Sequence, residues 1–544
     1  MGFFTVLHMA TVLHLSLVPV VILAQEYVTV DIQEGTLRGQ MSQTYTNRSM
    51  FKFEGIPYAE PPINDLRFQP PVRKAAWSGV RDALHIGGKC PQYSKGKTSG
   101  EEDCLYLNVY GPGTPSQNGT QKAVIVWIHG GCFTGGAGTS GKPEYFVDND
   151  VILVTINYRL GILGFLSTRD EVVPGNMGLK DQVETLRWVQ RNIAAFGGNP
   201  EKVTILGQSA GGASIHYHLL SPLSKGLYKN AIAMSGSALN PWAFSRNATD
   251  RAIRFAQHWG YTGGSSTDLV NFLKTLNAST LVLDRNVALS EEDSVTLYSC
   301  VWAPSAEPEH EGAFLAEEPW VVMTEERYNH VPFLSGATDM ERLRHTQKGG
   351  ALSTEEQIQN FNDNFEEIVG CDLRLPTREE QLEAAHSIKE FYYNGSDITL
   401  KDNYTTVLFD THECFVEGVD AVVQRMARYS SEAVFYYQFT FVGPLSVFPD
   451  GPGATHGDDV YYLFPSSTLD PNSPEGIVRA QMTAMWANFA KFDNPTPELD
   501  SLLTEKWKEY DESSKNYLVI AAPLSSGTNV YGPYMDFWHN LLPS

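Results

Sequence analysis

The chain has 544 residues, 42% of them hydrophobic and 19% charged, a globular composition with material for a large core. Its net charge of −23 argues against nucleic acid or an anionic membrane surface as partner, because both need basic patches. No Pro/Ser-rich linker, charge block or internal repeat marks a boundary, so residues 25–544 are expected to form a single domain.

Residues 1–24 contain no Lys, Arg, Asp or Glu. Val12–Leu23 is an apolar run of signal-peptide length, and Ala24 is a small residue suited to cleavage. A transmembrane helix needs ~20 apolar residues, whereas this run is shorter and interrupted by His14 and Pro19. The C-terminal residues Asp536–Ser544 are too polar for an anchor, so a secreted, extracellular protein is expected. Six N-x-[ST] sequons, at Asn47, Asn118, Asn247, Asn277, Asn394 and Asn403, suit that route. Chance alone supplies about three in a chain of this length. The six cysteines are Cys90, Cys104, Cys132, Cys300, Cys371 and Cys414. Cys90 and Cys104 enclose a short polar loop and are the expected bridge, while the pairing of the others is left open. Their spacing shows no zinc pattern, and no metal or cofactor is implied.

Short β-branched runs alternate with helical patterns. Val124–His129, Val151–Asn157, Val203–Gln208, Ala231–Ser235 and Ala433–Phe439 are expected as buried strands. Leu179–Phe196 carries apolar residues at 3–4 spacing and stops at Gly197-Gly198, as an amphipathic helix does. Ser214–Leu220 is helical as well. The alternation implies an α/β fold with a large, mostly parallel sheet covered on both faces. From about 250 to 430 the pattern turns helical and irregular, as expected of a cap that shapes a cleft.

Val203–Ala213 supplies the chemistry. An apolar strand ends in Gly207-Gln208-Ser209-Ala210-Gly211 and a helix follows, the context of a G-x-S-x-G nucleophile elbow. A serine nucleophile needs a base, an acid to orient it and donors for an oxyanion. In α/β-hydrolases they follow the order Ser, acid, His. His456, in the Gly451–Asp459 loop before Val460–Phe464, is the candidate base, with a surface loop histidine as the competing reading. His216 and His218 point away from the attack site and are expected to pack or face solvent. Behind the short strand Val331–Ser335, Asp339 and Glu341 are both candidate acids. Upstream, Val124–Ile128 runs into His129-Gly130-Gly131-Cys132-Phe133, an HGG-type loop. The amides of Gly131, Cys132 and Ala210 would be the oxyanion donors.

With these motifs the chain resembles the type-B carboxylesterases, the cholinesterase-like branch of the α/β-hydrolases. The likeness covers nearly the whole mature chain and includes Glu54–Pro62, Glu102–Asn108, Asn157–Gly161, Gly164–Leu166, Gly175–Gln182 and Phe196–Pro200. It implies an α/β-hydrolase fold and a secreted serine carboxylesterase acting on a small ester. Residue by residue it matches Ser209 to the nucleophile, His456 to the base, Glu341 to the acid with Asp339 in reserve, and Gly131, Cys132 and Ala210 to the donors. Arg342 stands where that family usually has glycine. Cys132 replaces a glycine or alanine, and its side chain is expected to narrow the pocket. Cys90–Cys104 matches the family's first disulfide, and Cys414 resembles half of its last. Gln208 stands where cholinesterases carry glutamate, and Pro91–Asp103 lacks their tryptophan, which points away from choline esters. Gly-Gln-Ser-Ala-Gly matches the elbow of insect juvenile hormone esterases, an alternative reading. A non-catalytic adhesion protein of the same fold is a further one. Trp242 resembles an acyl-pocket wall. Phe133 is expected along the same cleft, and Tyr298 and Cys300 are expected to face the acyl chain. Core packing is the competing reading for each.

Overall fold

A computed structural model of the protein describes residues 26–116, 119–139, 143–294, 300–370, 373–464 and 468–542. The expected signal peptide, together with Asn118, Tyr298 and Cys371, lies outside the described residues.

The strands are β1 (Tyr27–Ile32), β2 (Gly35–Gln43), β3 (Ser49–Pro57), β4 (Val80–Asp82), β5 (Gln92–Ser94), β6 (Lys97–Ser99), β7 (Tyr106–Pro112) and β8 (Lys122–Ile128). They continue with β9 (Ile152–Ile156), β10 (Gly198–Gln208), β11 (Asn230–Met234), β12 (Phe333–Thr338), β13 (Val434–Phe439), β14 (Asn516–Ile520) and β15 (Ser525–Thr528). One sheet runs in the order β1-β2-β3-β7-β9-β8-β10-β11-β12-β13-β14-β15, with β4 on β2. From β9 through β14 every neighbour is parallel, while β1, β2, β3, β7 and β15 add antiparallel margins. The sheet is therefore mixed, with a parallel centre. The small hairpin β5–β6 stands apart from it.

The residues dictate this division. β9 and β11 are buried at every position, as a central parallel strand requires. Along β8, Val124, Val126 and Ile128 enter the core on one face and Ala123, Ile125 and Trp127 that on the other, the period of two of a pleated strand. The first core is closed by helices Met177–Asn192 and Ala210–Leu220, the second by Pro474–Phe492 through Val478, Met482, Met485, Trp486 and Phe489. β1, by contrast, buries only Val30, as an edge strand with one face in water does.

Two boundaries move from their expected places. The helix expected to reach Phe196 changes to a tighter 3₁₀ turn at Ile193–Phe196, and Gly197, at φ 86°, ends it. β10 begins at Gly198, with an irregularity before Val203. The region from 250 to 430 contributes β12 to the sheet, so it is more than a cap. Its helices Glu355–Asp363, Arg378–Tyr393 and Asn403–Thr411 form a satellite core with the C-terminal helix Gly532–Leu541. No helix among the described residues is long and apolar enough to cross a membrane.

Candidate active site

β10 ends at Gln208, and the chain turns at Ser209 with φ 60° and ψ −125° before helix Ala210–Leu220 starts. Such a backbone is strained for a residue with a side chain. It is held on both sides: the Ser209 amide donates to Met234 O at 2.9 Å, and the Ser209 carbonyl accepts from Ala213 at 2.8 Å. Close approach explains the glycines. A Cβ on Gly211 would lie 2.1 Å from Ile128 O, and one on Gly130 would lie 2.9 Å from Ser209 Cβ. The HGG loop therefore passes directly over the serine.

That loop is bent at three successive residues, with φ 115° at Gly131, 53° at Cys132 and 55° at Phe133. The carbonyl of Gly131 accepts from Thr134 and Gly135, and that of Phe133 from Gly161 at 2.7 Å. Gln92 spans Gly136, donating to its carbonyl at 2.9 Å and accepting from its amide at 3.1 Å. Among the described residues, the amides of Gly131, Cys132 and Ala210 have no hydrogen-bond partner. These are the three donors expected from the sequence, and they face no competing acceptor. His129 stacks on Tyr158 at 4.4 Å, and burial lowers its pKa to about 4, so it is neutral and donates from Nδ1 to Gly130 O.

The candidate acid and base lie in the segments that follow β12 and β13. Glu341, entirely buried, accepts from His456 Nδ1 at 2.5 Å through Oε2. Its Oε1 accepts from Ser235 Oγ at 2.5 Å and from the Thr338 amide at 2.8 Å. The His456 amide also donates to the Glu341 carbonyl at 3.1 Å. Asp339 is turned elsewhere: it accepts from the Ala454 amide at 2.7 Å. Burial, with Glu341 and Asp458 nearby, raises its pKa to about 7. Asp459 is likewise raised to about 7 by burial and by Glu341, and it accepts from Tyr437 Oη at 2.9 Å. Asp458 fastens the base loop by accepting from the Thr455 and Val447 amides, both at 2.8 Å.

With Nδ1 donating to Glu341, His456 Nε2 is left as an acceptor. It receives the side-chain amide of Gln208 at 3.2 Å. The sequence places Gln208 among the substrate-pocket candidates, and the structure puts its side-chain amide on the candidate base. The face of the imidazole is covered by Phe415, 4.6 Å away between ring centroids.

Several expected pocket residues are placed differently. Phe133 is wholly buried against Phe165 at 5.1 Å and belongs to the core, not the cleft. Trp242 is buried one layer back: its indole donates to Cys414 O at 2.8 Å and its ring lies 5.5 Å from Phe415. Cys132 and Cys300 do not stand separately in the cleft, because they form a disulfide. The expected Cys90–Cys104 bridge is present. His216 and His218 are buried, each lowered to about 3 by burial, and they bond to Ala238 N and to Ser224 and Gln182, as packing residues do. Asp410, Glu413 and Cys414 bring one ligand atom each within 4.8 Å of one another. Asp410, however, is engaged by Arg342 at 3.0 Å and His345 at 2.6 Å, which hold its carboxyl far below the usual range. Asp410 is therefore held in a charge network with Arg342 and His345.

Sequence reasoning missed Ser235 and Phe415. Ser235 directly follows β11, and only the adjacency of β11 and β12 brings it to Glu341. Phe415 sits in a π-helical turn, His412–Val416, for which the sequence carries no periodic signal.

A strained serine, a buried acid–imidazole pair and three unpaired amides together suit acyl transfer. Residues 26–538 match the model of the carboxylesterase family. The chain belongs to the carboxylesterase family. It is similar to Esterase FE4 of Myzus persicae, 34% identical over 86% of this chain and 85% of that protein. It is also 34% identical to a juvenile hormone esterase of Tribolium castaneum, over 85% of this chain and 83% of that protein. The bile salt-activated lipase of Rattus norvegicus is 31% identical over 89% of this chain and 80% of its own. Family membership agrees with the α/β-hydrolase architecture of the sheet.

Proposed function

We propose that this protein is a secreted serine carboxylesterase that hydrolyses small carboxylic esters through an acyl-enzyme on Ser209. The observation that carries the reading is the 2.5 Å contact of Glu341 Oε2 with His456 Nδ1 beside an elbow serine. In the first half-reaction His456 Nε2 takes the Ser209 proton as Oγ attacks the ester carbonyl. The oxyanion is received by the amides of Gly131, Cys132 and Ala210. The imidazolium then protonates the leaving alcohol, and water repeats the sequence on the acyl-serine. Glu341 stays ionised, holds the tautomer and stabilises the imidazolium. Its own bonds from Ser235 and Thr338 fix the carboxylate so that it cannot swing away.

Secretion is supported by the leader-like residues 1–24, by two disulfides and by the sequons. Asn47, Asn247, Asn277, Asn394 and Asn403 are all exposed, as glycan acceptors must be. Gln208 at the elbow and the named relative from Tribolium castaneum favour a second reading, a juvenile hormone esterase. The test is hydrolysis of an ester panel, from 4-nitrophenyl acetate to long-chain and juvenile-hormone-like methyl esters, by the wild type and Ser209→Ala. Loss of at least about 10⁴-fold in kcat for Ser209→Ala is expected. A variant that keeps full activity would overturn the serine mechanism. An acetate-favouring profile would remove the hormone reading.

A further inference from the structure

The Cys132–Cys300 bridge occupies an unusual place. It ties the middle one of the three positive-φ residues of the HGG loop to a segment 168 residues away, with Cα atoms 5.3 Å apart. The neighbours of Cys132 are held by other means. Gly131 is fixed through its carbonyl, and Phe133 through its carbonyl and its buried ring. Cys132 itself makes no backbone hydrogen bond among the described residues, by amide or by carbonyl. Its left-handed φ of 53° is one that a residue with a side chain adopts only when the surroundings impose it. The disulfide is the covalent tie on that backbone.

The far end of the bridge is well anchored. Cys300 is buried and runs into buried Val301, Trp302 and Ala303. The Val301 carbonyl accepts from Arg251 at 3.1 Å, Pro304 O accepts from the Ser245 amide at 2.7 Å, and the Ser305 amide donates to Asn176 at 3.0 Å. A buried segment thus reaches across to the donor residue that makes no backbone hydrogen bond among the described residues.

We propose that Cys300 is a positioning residue for the esterase reaction, acting through its disulfide with Cys132 to aim the Cys132 amide at the oxyanion. This rests on the serine esterase reading above. Losing an oxyanion donor outright typically costs about 10²–10³ in kcat, and a donor that is present but unaimed costs less. A dithiol reverses the constraint: one thiolate attacks a bridge sulfur to give a mixed disulfide, and its second thiol displaces that sulfur. Cys132 and Cys300 end as two thiols with two electrons gained, and the reagent ends as a cyclic disulfide.

The experiment compares Cys132→Ala, Cys300→Ala and the double variant with the wild type on 4-nitrophenyl acetate. Each is expected to lose about 10–100-fold in kcat, with KM changed by less than about threefold, and the double variant loses no more than either single. The affinity of phenylboronic acid, whose tetrahedral adduct on serine places an oxygen in the same hole, should fall in parallel. The acid limb of the pH–rate profile should stay in place, because Glu341 and His456 are untouched. A double variant within threefold of wild-type kcat, or single losses that multiply, overturns the proposal. If the variants do not fold, folded Cys90→Ala/Cys104→Ala protein is assayed before and after dithiothreitol, with the reduced thiols counted by mass spectrometry, and again after reoxidation. Activity that falls and returns supports the bridge, and activity unchanged in verified reduced protein overturns it. A wild type inactive on every ester would instead defeat the serine esterase reading itself, so the two failures are distinct.

Discussion

Two loops close on Ser209 from opposite sides, and they are fastened by different forces. Gly130–Gly136, at the end of β8, is held by backbone hydrogen bonds, the Gln92 side chain and a disulfide. Gly453–Asp459, after β13, is held by carboxylates: Asp339 on Ala454, Asp458 on Thr455 and Val447, Asp459 on Tyr437, and Glu341 on His456. The first loop presents amides, which have no second protonation state to control, so a covalent tie and neutral hydrogen bonds suffice. On the mechanism proposed above, the second presents a base that must change charge in each turnover, and it is surrounded by groups whose own charge responds to pH. Redox conditions should therefore act on one side of the site and pH on the other.

The sharpest break on the charged side is Glu341→Gln. It preserves volume but removes the anion that stabilises the imidazolium, and a loss of about 10²–10⁴ in kcat is expected. Asp339→Asn, assayed beside it, should lose less than about tenfold, because Asp339 only fastens a backbone amide. A reversed ranking would exchange their roles. A smaller effect is expected from Gln208→Glu. A carboxylate 3.2 Å from His456 Nε2 favours the protonated ring, so the acid limb of the pH–rate profile should move to higher pH while the maximal rate changes only severalfold. An unmoved limb would show that Gln208 does not act on the base.

The smallest expected effect is on stability. The Asp339 carboxyl is raised from an ordinary 3.8 to about 7 in the fold. Its protonated form is therefore the one the fold favours. The stability this contributes is fully present below about pH 4 and is lost as pH rises through 7. Asp339→Asn should flatten that decline, with a melting-temperature advantage over wild type that grows by about 2–4 °C between pH 5 and 8. Parallel melting curves for the two proteins at all pH values would contradict it.

What the sequence revealed divides along the same line. The elbow strand, the HGG loop and the loop that carries His456 were legible, because each is a local pattern beside an apolar run. The choice between Asp339 and Glu341 was not legible from local pattern, since both follow the same strand and only the turn after Thr338 decides which faces the imidazole. Cys132–Cys300 and Ser235–Glu341 were hidden for a common reason. Each joins segments far apart in the chain that only the completed sheet brings together. Phe133 and Trp242 stay open between cleft and core in the sequence, because an aromatic beside a site looks the same there whether it faces in or out.

The parallel centre of the sheet has a further consequence. Parallel neighbours cannot be joined by a tight hairpin, so β11, β12 and β13 are linked by long crossovers spanning Ser235–Pro332 and Asp339–Ala433. Those crossovers begin at the same edge where Ser209, Glu341 and His456 stand. Insertions there can be exchanged over evolution without disturbing the hydrogen-bonded ladder beneath. A scaffold of this kind lets the choice of ester drift while the bond-breaking parts stay in register.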